Sequence, residues 1–136
     1  MDNSIKIDNR HYNYKEAKKI WIYISLIALA TSLLFVYIFK PTLDMNGDTS
    51  QYYIYATSLA QGEGYTELSS LGHPPANGFP PGYPLIMAPI RAITDSIIAQ
   101  KVLNGFMLFG AAVLLFLFLR KVVPQPLAFT IVLVSL

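Results

Sequence analysis

Residues 20–39 read IWIYISLIALATSLLFVYIF, a run without a single charged side chain. At about 1.5 Å per helical residue, the run matches the roughly 30 Å hydrocarbon core of a bilayer. Its ends are marked as well. Lys18 and Lys19 precede it, Lys40 and Pro41 follow it, and Trp21, Tyr23 and Tyr37 stand near the two ends, where amphipathic rings favour the headgroup region. The competing reading is a cleaved signal peptide, but Met1 to Lys19 is too long and too mixed for an n-region, and no Ala-x-Ala-like site follows. The run therefore reads as a transmembrane helix.

Working outward, a second apolar run covers Val102 to Leu119, is entered from Ile97 and stops at Arg120 and Lys121. Gly105, Gly110, Ala111 and Ala112 supply the small residues that let membrane helices approach closely. After Pro124 and Pro126 a third apolar stretch starts at Leu127 and continues to Leu136. It is too short for a span, which needs about 20 residues, and reads as the start of a truncated third helix. The plainer reading is a short hydrophobic tail lying in the interface. The whole composition agrees with a membrane protein: 54% hydrophobic and 13% charged residues, against roughly 45–50% and 25% in soluble domains. A net charge of +2 gives no reason to expect a nucleic-acid partner, and the absence of cysteine excludes disulfides, thiolate zinc sites and thiol nucleophiles. The expected fold class is an all-α membrane protein.

Charge sets the orientation. Lys6, Arg10, Lys15, Lys18 and Lys19 precede the first span and Arg120 and Lys121 follow the second, whereas the segment between holds Lys40, Arg91 and Lys101. Lys and Arg collect on the cytoplasmic side. The expected order is a cytoplasmic tail over 1–19, a first span over 20–39, an extracytoplasmic loop over 40–96, a second span over 97–119, a cytoplasmic turn over 120–126 and the truncated helix over 127–136. The loop also holds Asp44, Asp48, Glu63, Glu67 and Asp95, so chemistry is expected on the outer face.

Within the loop, 48–61 reads as a helix. Asp48 is an N-cap type, Gln51 stands where a capping box places its second member, and Tyr52, Ala56, Leu59 and Ala60 form an apolar stripe that ends at Gly62. From 62 to 84 five glycines and five prolines predict stiffened loop without helix. Tyr65, Phe79 and Tyr83 argue against plain disorder. Leu85 to Thr94 is predicted as a short helix broken at Pro89, with Thr94, Asp95 or Ser96 capping the second span.

The ordered set of a membrane helix, Gly47-Asp48-x-x-x-Tyr52-x-x-x-Ala56, Gly62-Glu63-Gly64-Tyr65, Pro80-Pro81-Gly82-Tyr83-Pro84-Leu85 and a second membrane helix resembles the start of the GT-C membrane glycosyltransferases. It is most similar to the bacterial branch related to protein mannosyltransferases and to the aminoarabinose transferases of lipid A. The resemblance covers about Ile20 to Lys121. It implies a bacterial inner-membrane enzyme that takes a sugar from a polyprenyl-phosphate donor, with an acidic motif in its first outer loop. The motif Asp maps to Asp48 and the Tyr to Tyr52, while Thr49 replaces the acid that usually follows. A divalent metal occurs in the superfamily, but no His or acidic pattern here supports one.

For such a transfer Asp48 is the candidate general base, a role worth about 10²- to 10⁴-fold in rate. Lys101 and Arg91, near the outer end of the second span, are candidate contacts to the lipid phosphate, and Gln100, Lys101 and Asn104 share one helix face. Each has a plainer reading. Asp48 serves as a cap, Lys101 as a snorkelling interface lysine, Arg91 as a solvated charge and Pro80 to Pro84 as a rigid connector. Asp44 is the runner-up carboxylate, and His73 has no second His on the same side. The alternative function is a small non-enzymatic membrane protein whose outer loop binds a partner. On the enzyme reading the chain is an N-terminal fragment, inactive alone.

Overall fold

A computed structural model describes residues 3–42 and 48–136, with side chains for residue 14 and from 16 onward within those ranges. Asp44, the runner-up carboxylate, and Gly47 of the quoted motif lie outside the described residues. Among the described residues the regular structure is helical: α1 (Asn3–Ile38), α2 (Asp48–Ala60), α3 (Gly82–Ile93), α4 (Ile97–Leu119) and α5 (Gln125–Ser135).

Two helical stretches are long and apolar enough to cross a membrane, Glu16–Ile38 and Ile97–Leu119, each of 23 residues. Trp21, Leu29, Leu33 and Val36 on the first, and Phe106, Leu114 and Phe118 on the second, are exposed. A helix at the centre of a water-soluble fold would bury such side chains, whereas lipid leaves them free to point outward. The polar stretch before the first span is helical and continuous with it. Tyr14-Lys15-Glu16-Ala17-Lys18-Lys19 is rich in good helix formers, and extending an existing helix needs no new nucleus. A Glu16–Lys19 pair at 3.0 Å, one turn apart, supports the extension.

The chain divides into two units. The first combines Met1–Ile38 with Gly105–Leu136. Its core is Ile27, Ala112, Phe116, Ala128 and Val132, and Tyr23 sets its ring 5.5 Å from Phe116 and 5.1 Å from Phe129. Thr31 is buried and donates its hydroxyl back to the Ile27 carbonyl at 2.8 Å, which satisfies a polar group on an apolar helix. Of the small residues on α4, Gly105 lies under the Phe35 ring, where an added Cβ would come within 3.1 Å of it, and Ala112 is buried; nothing would approach a Cβ at Gly110. α5 has 11 residues, about half of a span, and a third crossing is not shown.

The second unit is Phe39–Asn104. Here α2 packs on α3, with Ser50, Tyr55, Ala56 and Ser58 buried on one helix and Pro84, Met87 and Arg91 on the other. α2 ends in a Schellman motif: Glu63 N–H bonds to Ser58 O at 3.0 Å and Gly62 N–H to Leu59 O at 3.2 Å, with Gly62 at φ +80°. α3 corrects the sequence expectation in two ways. It starts at Gly82, inside the stretch read as free of helix, because Pro84 falls in the first turn, where an N–H has no intrahelical acceptor to lose. It also runs through Pro89 without a break. Pro89 is exposed, and the loss of one ladder bond on an open face does not outweigh the packing of Met87 and Arg91 opposite. Of the three predicted caps on α4, Ser96 takes the role, accepting from Ala99 N–H at 3.4 Å.

Candidate functional site

All the residues singled out for chemistry belong to the second unit. Asp48 occupies the first turn of α2, where a negative charge is favoured by the helix dipole. Its carboxylate is exposed and, among the described residues, makes no hydrogen bond or ion pair. The reading of Asp48 as one half of a capping box is not realised: Gln51 Oε1 is buried and has no hydrogen-bond partner. One turn on, the Tyr52 ring meets Phe79 edge to face at 5.2 Å and Tyr83 at 5.2 Å and 85°. Tyr83 in turn donates to Asn104 Oδ1 of α4 at 2.5 Å.

Asn104 lies one turn beyond Gln100, on the same face of α4. Gln100 is 3% exposed and its Nε2 has no hydrogen-bond partner. The sequence marked the Gln100, Lys101 and Asn104 face, and marked Gln51 only as the partner of Asp48 in a capping box. The unpaired state of both amides depends on tertiary packing, which no local spacing encodes.

A second set of rings braces the loop behind. Tyr55 packs on Tyr65 at 5.0 Å, and Tyr65 donates its hydroxyl to Phe79 O at 2.7 Å. The loop itself is closed by Glu67 N–H to Pro74 O and Ala76 N–H to Tyr65 O, both 2.9 Å, so the Gly- and Pro-rich stretch is an ordered element. Burial pushes the Tyr55 hydroxyl up to about 12, helped by the Glu67 carboxylate beside it. Burial raises Tyr65 as well, with the Tyr52 phenol adding to the shift. For Tyr83 burial again dominates, partly offset by the bond to Asn104. These phenols stay neutral donors at ordinary pH.

The two basic candidates are held in place by the chain itself. Lys101 Nζ donates to the carbonyls of Lys40 and Thr42, the latter at 2.6 Å, and so fixes the backbone that leads from α1. Arg91 is not a solvated charge: its side chain is 5% exposed. It lies 4.0 Å over the Tyr53 ring, donates from Nε to Thr57 Oγ1 at 3.0 Å and from Nη1 to Thr94 O at 3.3 Å, and pairs through Nη2 with Asp95 at 2.8 Å. Its spacing from Asp95 is the one signal in the sequence that pointed to this staple.

Among the described residues no hydrogen bond, ion pair or ring contact joins Asp48, Tyr52, Lys101 and Arg91 directly. Asp48 and Tyr52 share a face of α2, and Tyr52 is linked to α4 through Tyr83. The chain matches no protein-family profile, no curated protein and no solved structure. Among the described residues no three His, Asp or Glu side chains gather as a metal site would require.

This unit holds groups of the kind a polar ligand uses: an exposed carboxylate at a helix start, an aromatic wall, and two buried amide atoms, Gln51 Oε1 and Gln100 Nε2, without a hydrogen-bond partner. Buried polar atoms without partners are uncommon in folded proteins and mark places where a water or ligand is expected.

Proposed function

We propose that the chain provides the first two spans and the first outer loop of an integral membrane glycosyltransferase of the bacterial plasma membrane. In this reading the N-terminus is cytoplasmic, residues 40–96 are extracytoplasmic, α2 and α3 are juxtamembrane helices, and α5 begins a third crossing. The donor is a sugar on a polyprenyl phosphate and the acceptor a hydroxyl. The observation that carries the reading is the exposed, unbonded Asp48 carboxylate one turn before a Tyr52 ring walled by Phe79 and Tyr83.

The chemistry follows from those groups. The acceptor hydroxyl gives its proton to Asp48 as its oxygen bonds to the anomeric carbon. The bond from that carbon to the phosphate oxygen breaks, and polyprenyl phosphate leaves with the electron pair. Tyr52 and its neighbours supply an apolar face for a sugar ring, and the Gln51 and Gln100 amides supply one acceptor and one donor. Lys101 holds the backbone at Lys40 and Thr42, after the first apolar helix, and brings a positive charge there. Arg91 acts one step removed, by fixing α3 on α2. Two spans and one loop do not enclose a lipid-linked donor, so the activity belongs to an assembly with further membrane helices.

The test is release of polyprenyl phosphate by membranes carrying the intact open reading frame, supplied with polyprenyl-phosphate hexoses and pentoses. Asp48→Asn should lower release by about 10²- to 10⁴-fold while insertion is unchanged. Full activity in that variant, or none in the native protein, defeats the proposal. Orientation is checked separately in this cysteine-free chain. A cysteine at Ser70 should react from the outer face, and labelling only from the cytoplasm would overturn the site with the topology. One observation favours the partner-binding alternative: Leu71 at the loop tip is fully exposed. That reading predicts that Leu71→Ser, and not Asp48→Asn, removes function.

A further inference from the structure

We propose that the first unit carries a site for the phosphate of an anionic phospholipid headgroup, where the charged segment of α1 meets the turn between α4 and α5. It stands independently of the glycosyltransferase reading. Gln125 Nε2 donates to Glu16 Oε2 at 3.0 Å, which ties this level of α1 to the start of α5. Among the described side chains, Lys18, Lys19, Arg120 and Lys121 stand there against the Glu16 carboxylate, which is engaged by Lys19 and Gln125. Lys18 and Lys121 are exposed and make no ion pair among the described residues.

Three further observations point to an anion. Arg120 Nη1 is shut off from solvent and has no hydrogen-bond partner, a state whose cost an arriving anionic oxygen would remove. α5 begins with Pro124 at its N-cap and no side-chain cap, so the first-turn amides of Gln125 and Leu127 have no intrahelical acceptor and the positive end of the helix dipole is open. Finally, the apolar surface flanking this level is exposed: Trp21, Ile22 and Leu26 on α1, and Val122 and Leu127 beside the turn. In a bilayer those side chains lie among acyl chains, so the cations at this level meet the phosphates of the surrounding lipids directly. Basic pockets at the ends of membrane helices bind headgroups by this combination.

Trp21 is the single tryptophan of the chain and is exposed close to the charged level, so it reports directly on the lipid beside it. The full chain is reconstituted in phosphatidylcholine vesicles containing a trace of phosphatidylglycerol or phosphatidylcholine with brominated acyl chains, and quenching of Trp21 is compared. Brominated phosphatidylglycerol should quench more strongly, with a relative association constant several-fold above one. An Arg120→Gln/Lys121→Gln variant, which removes two of the four cations, should bring the ratio close to one. Arg120→Lys/Lys121→Arg should retain most of the preference.

Inorganic phosphate in excess, added at constant ionic strength, should leave the native preference unchanged, and displacement by it would replace the lipid assignment with a soluble anion. If the glutamine variant fails to fold by circular dichroism, the native protein decides the matter alone. Raised salt should weaken the preference. Equal quenching by the two lipids, or a preference indifferent to salt, overturns the site.

Discussion

Replacement of Arg91 by alanine separates a structural staple from a surface charge. The guanidinium makes one bond to Thr57 across the helix pair, one to Thr94 O, an ion pair with Asp95 and a stacking contact on Tyr53, with only 5% of its side chain exposed. A hydrogen bond to a charged group contributes about 1.5–3 kcal/mol, and a largely desolvated cation–π contact about 1–2 kcal/mol. The ion pair adds less than about 1 kcal/mol, because Asp95 is 89% exposed and its charge is screened by water. Allowing for overlap between these terms, Arg91→Ala should cost about 3 kcal/mol, which is about a hundred-fold in the opening equilibrium of α2 against α3. Asp95→Asn should cost less than about 1 kcal/mol. Tyr53→Phe keeps the ring under the guanidinium and loses only the hydroxyl bond to Asp95 O, measured at 3.0 Å, for about 1 kcal/mol. Hydrogen–deuterium exchange of the detergent-solubilised protein, read on peptides from α2 and α3, gives all three values. If Asp95→Asn accelerates exchange as much as Arg91→Ala, or if Arg91→Ala changes it by less than about ten-fold, the account of a buried staple is wrong.

Gly62→Ala should destabilise the C-terminal end of α2 by about 1–2 kcal/mol. The cost is purely conformational, since Gly62 holds φ +80° and an added Cβ would meet nothing within 4 Å; exchange at residues 58–63 measures it, and Gly62→Asn should recover part of the loss. Alkaline pH probes the ring cluster. Tyr55 ionises near 10 when unfolded and about 12 when folded, so the fold favours its neutral form. That contribution is complete below pH 10 and is lost as pH rises from 10 to 12. Tyrosinate absorbance should show Tyr55 among the last phenols to ionise, together with loss of helicity, and Tyr55→Phe should remove part of that alkaline transition. Uniform ionisation near pH 10 with the helices intact would show that Tyr55 is not buried as described.

The two helices long and apolar enough to cross a membrane were legible because long charge-free runs admit few other fates. The stop of α2 at Gly62 was legible for a similarly local reason, the need for a left-handed residue after the last turn. What was not legible depended on which neighbour arrives. Composition offered Gly105, Gly110, Ala111 and Ala112 as equal candidates for close helix approach, yet only Gly105 has a ring laid against it and only Ala112 is buried. Proline density argued against a helix before Leu85, but helical position, rather than proline count, decides the cost: Pro84 falls in a first turn. The polar stretch before the first apolar run looked like a tail because of its mixed charges, and nothing in its polarity prevented it from continuing the helix. Arg91 looked solvated because the sequence cannot show Thr57 and Tyr53 closing over it. For the proposed site, Asp48 and Tyr52 came from the resemblance to a glycosyltransferase motif, whereas the unpaired Gln51 needed the packed loop to be seen.

The distribution of unsatisfied groups carries the last step. Buried and half-buried polar side chains elsewhere in the two units find partners nearby: Thr31 bonds to Ile27 O, Thr57 to Tyr53 O and Ser58 to Gly64 O, at 2.8 Å in each case. Among the described residues, three buried side-chain atoms do not: Gln51 Oε1, Gln100 Nε2 and Arg120 Nη1. Two belong to the unit that carries Asp48 and Tyr52, and the third is a cation where α4 meets α5. A fold that satisfies its polar groups by short-range bonds elsewhere bears a cost at these positions, and such local violations concentrate where function requires them. Substituting Gln51 or Gln100 by leucine or methionine therefore separates the two explanations. A merely imperfect fold should become more stable, whereas a ligand site should gain stability and lose its ligand together.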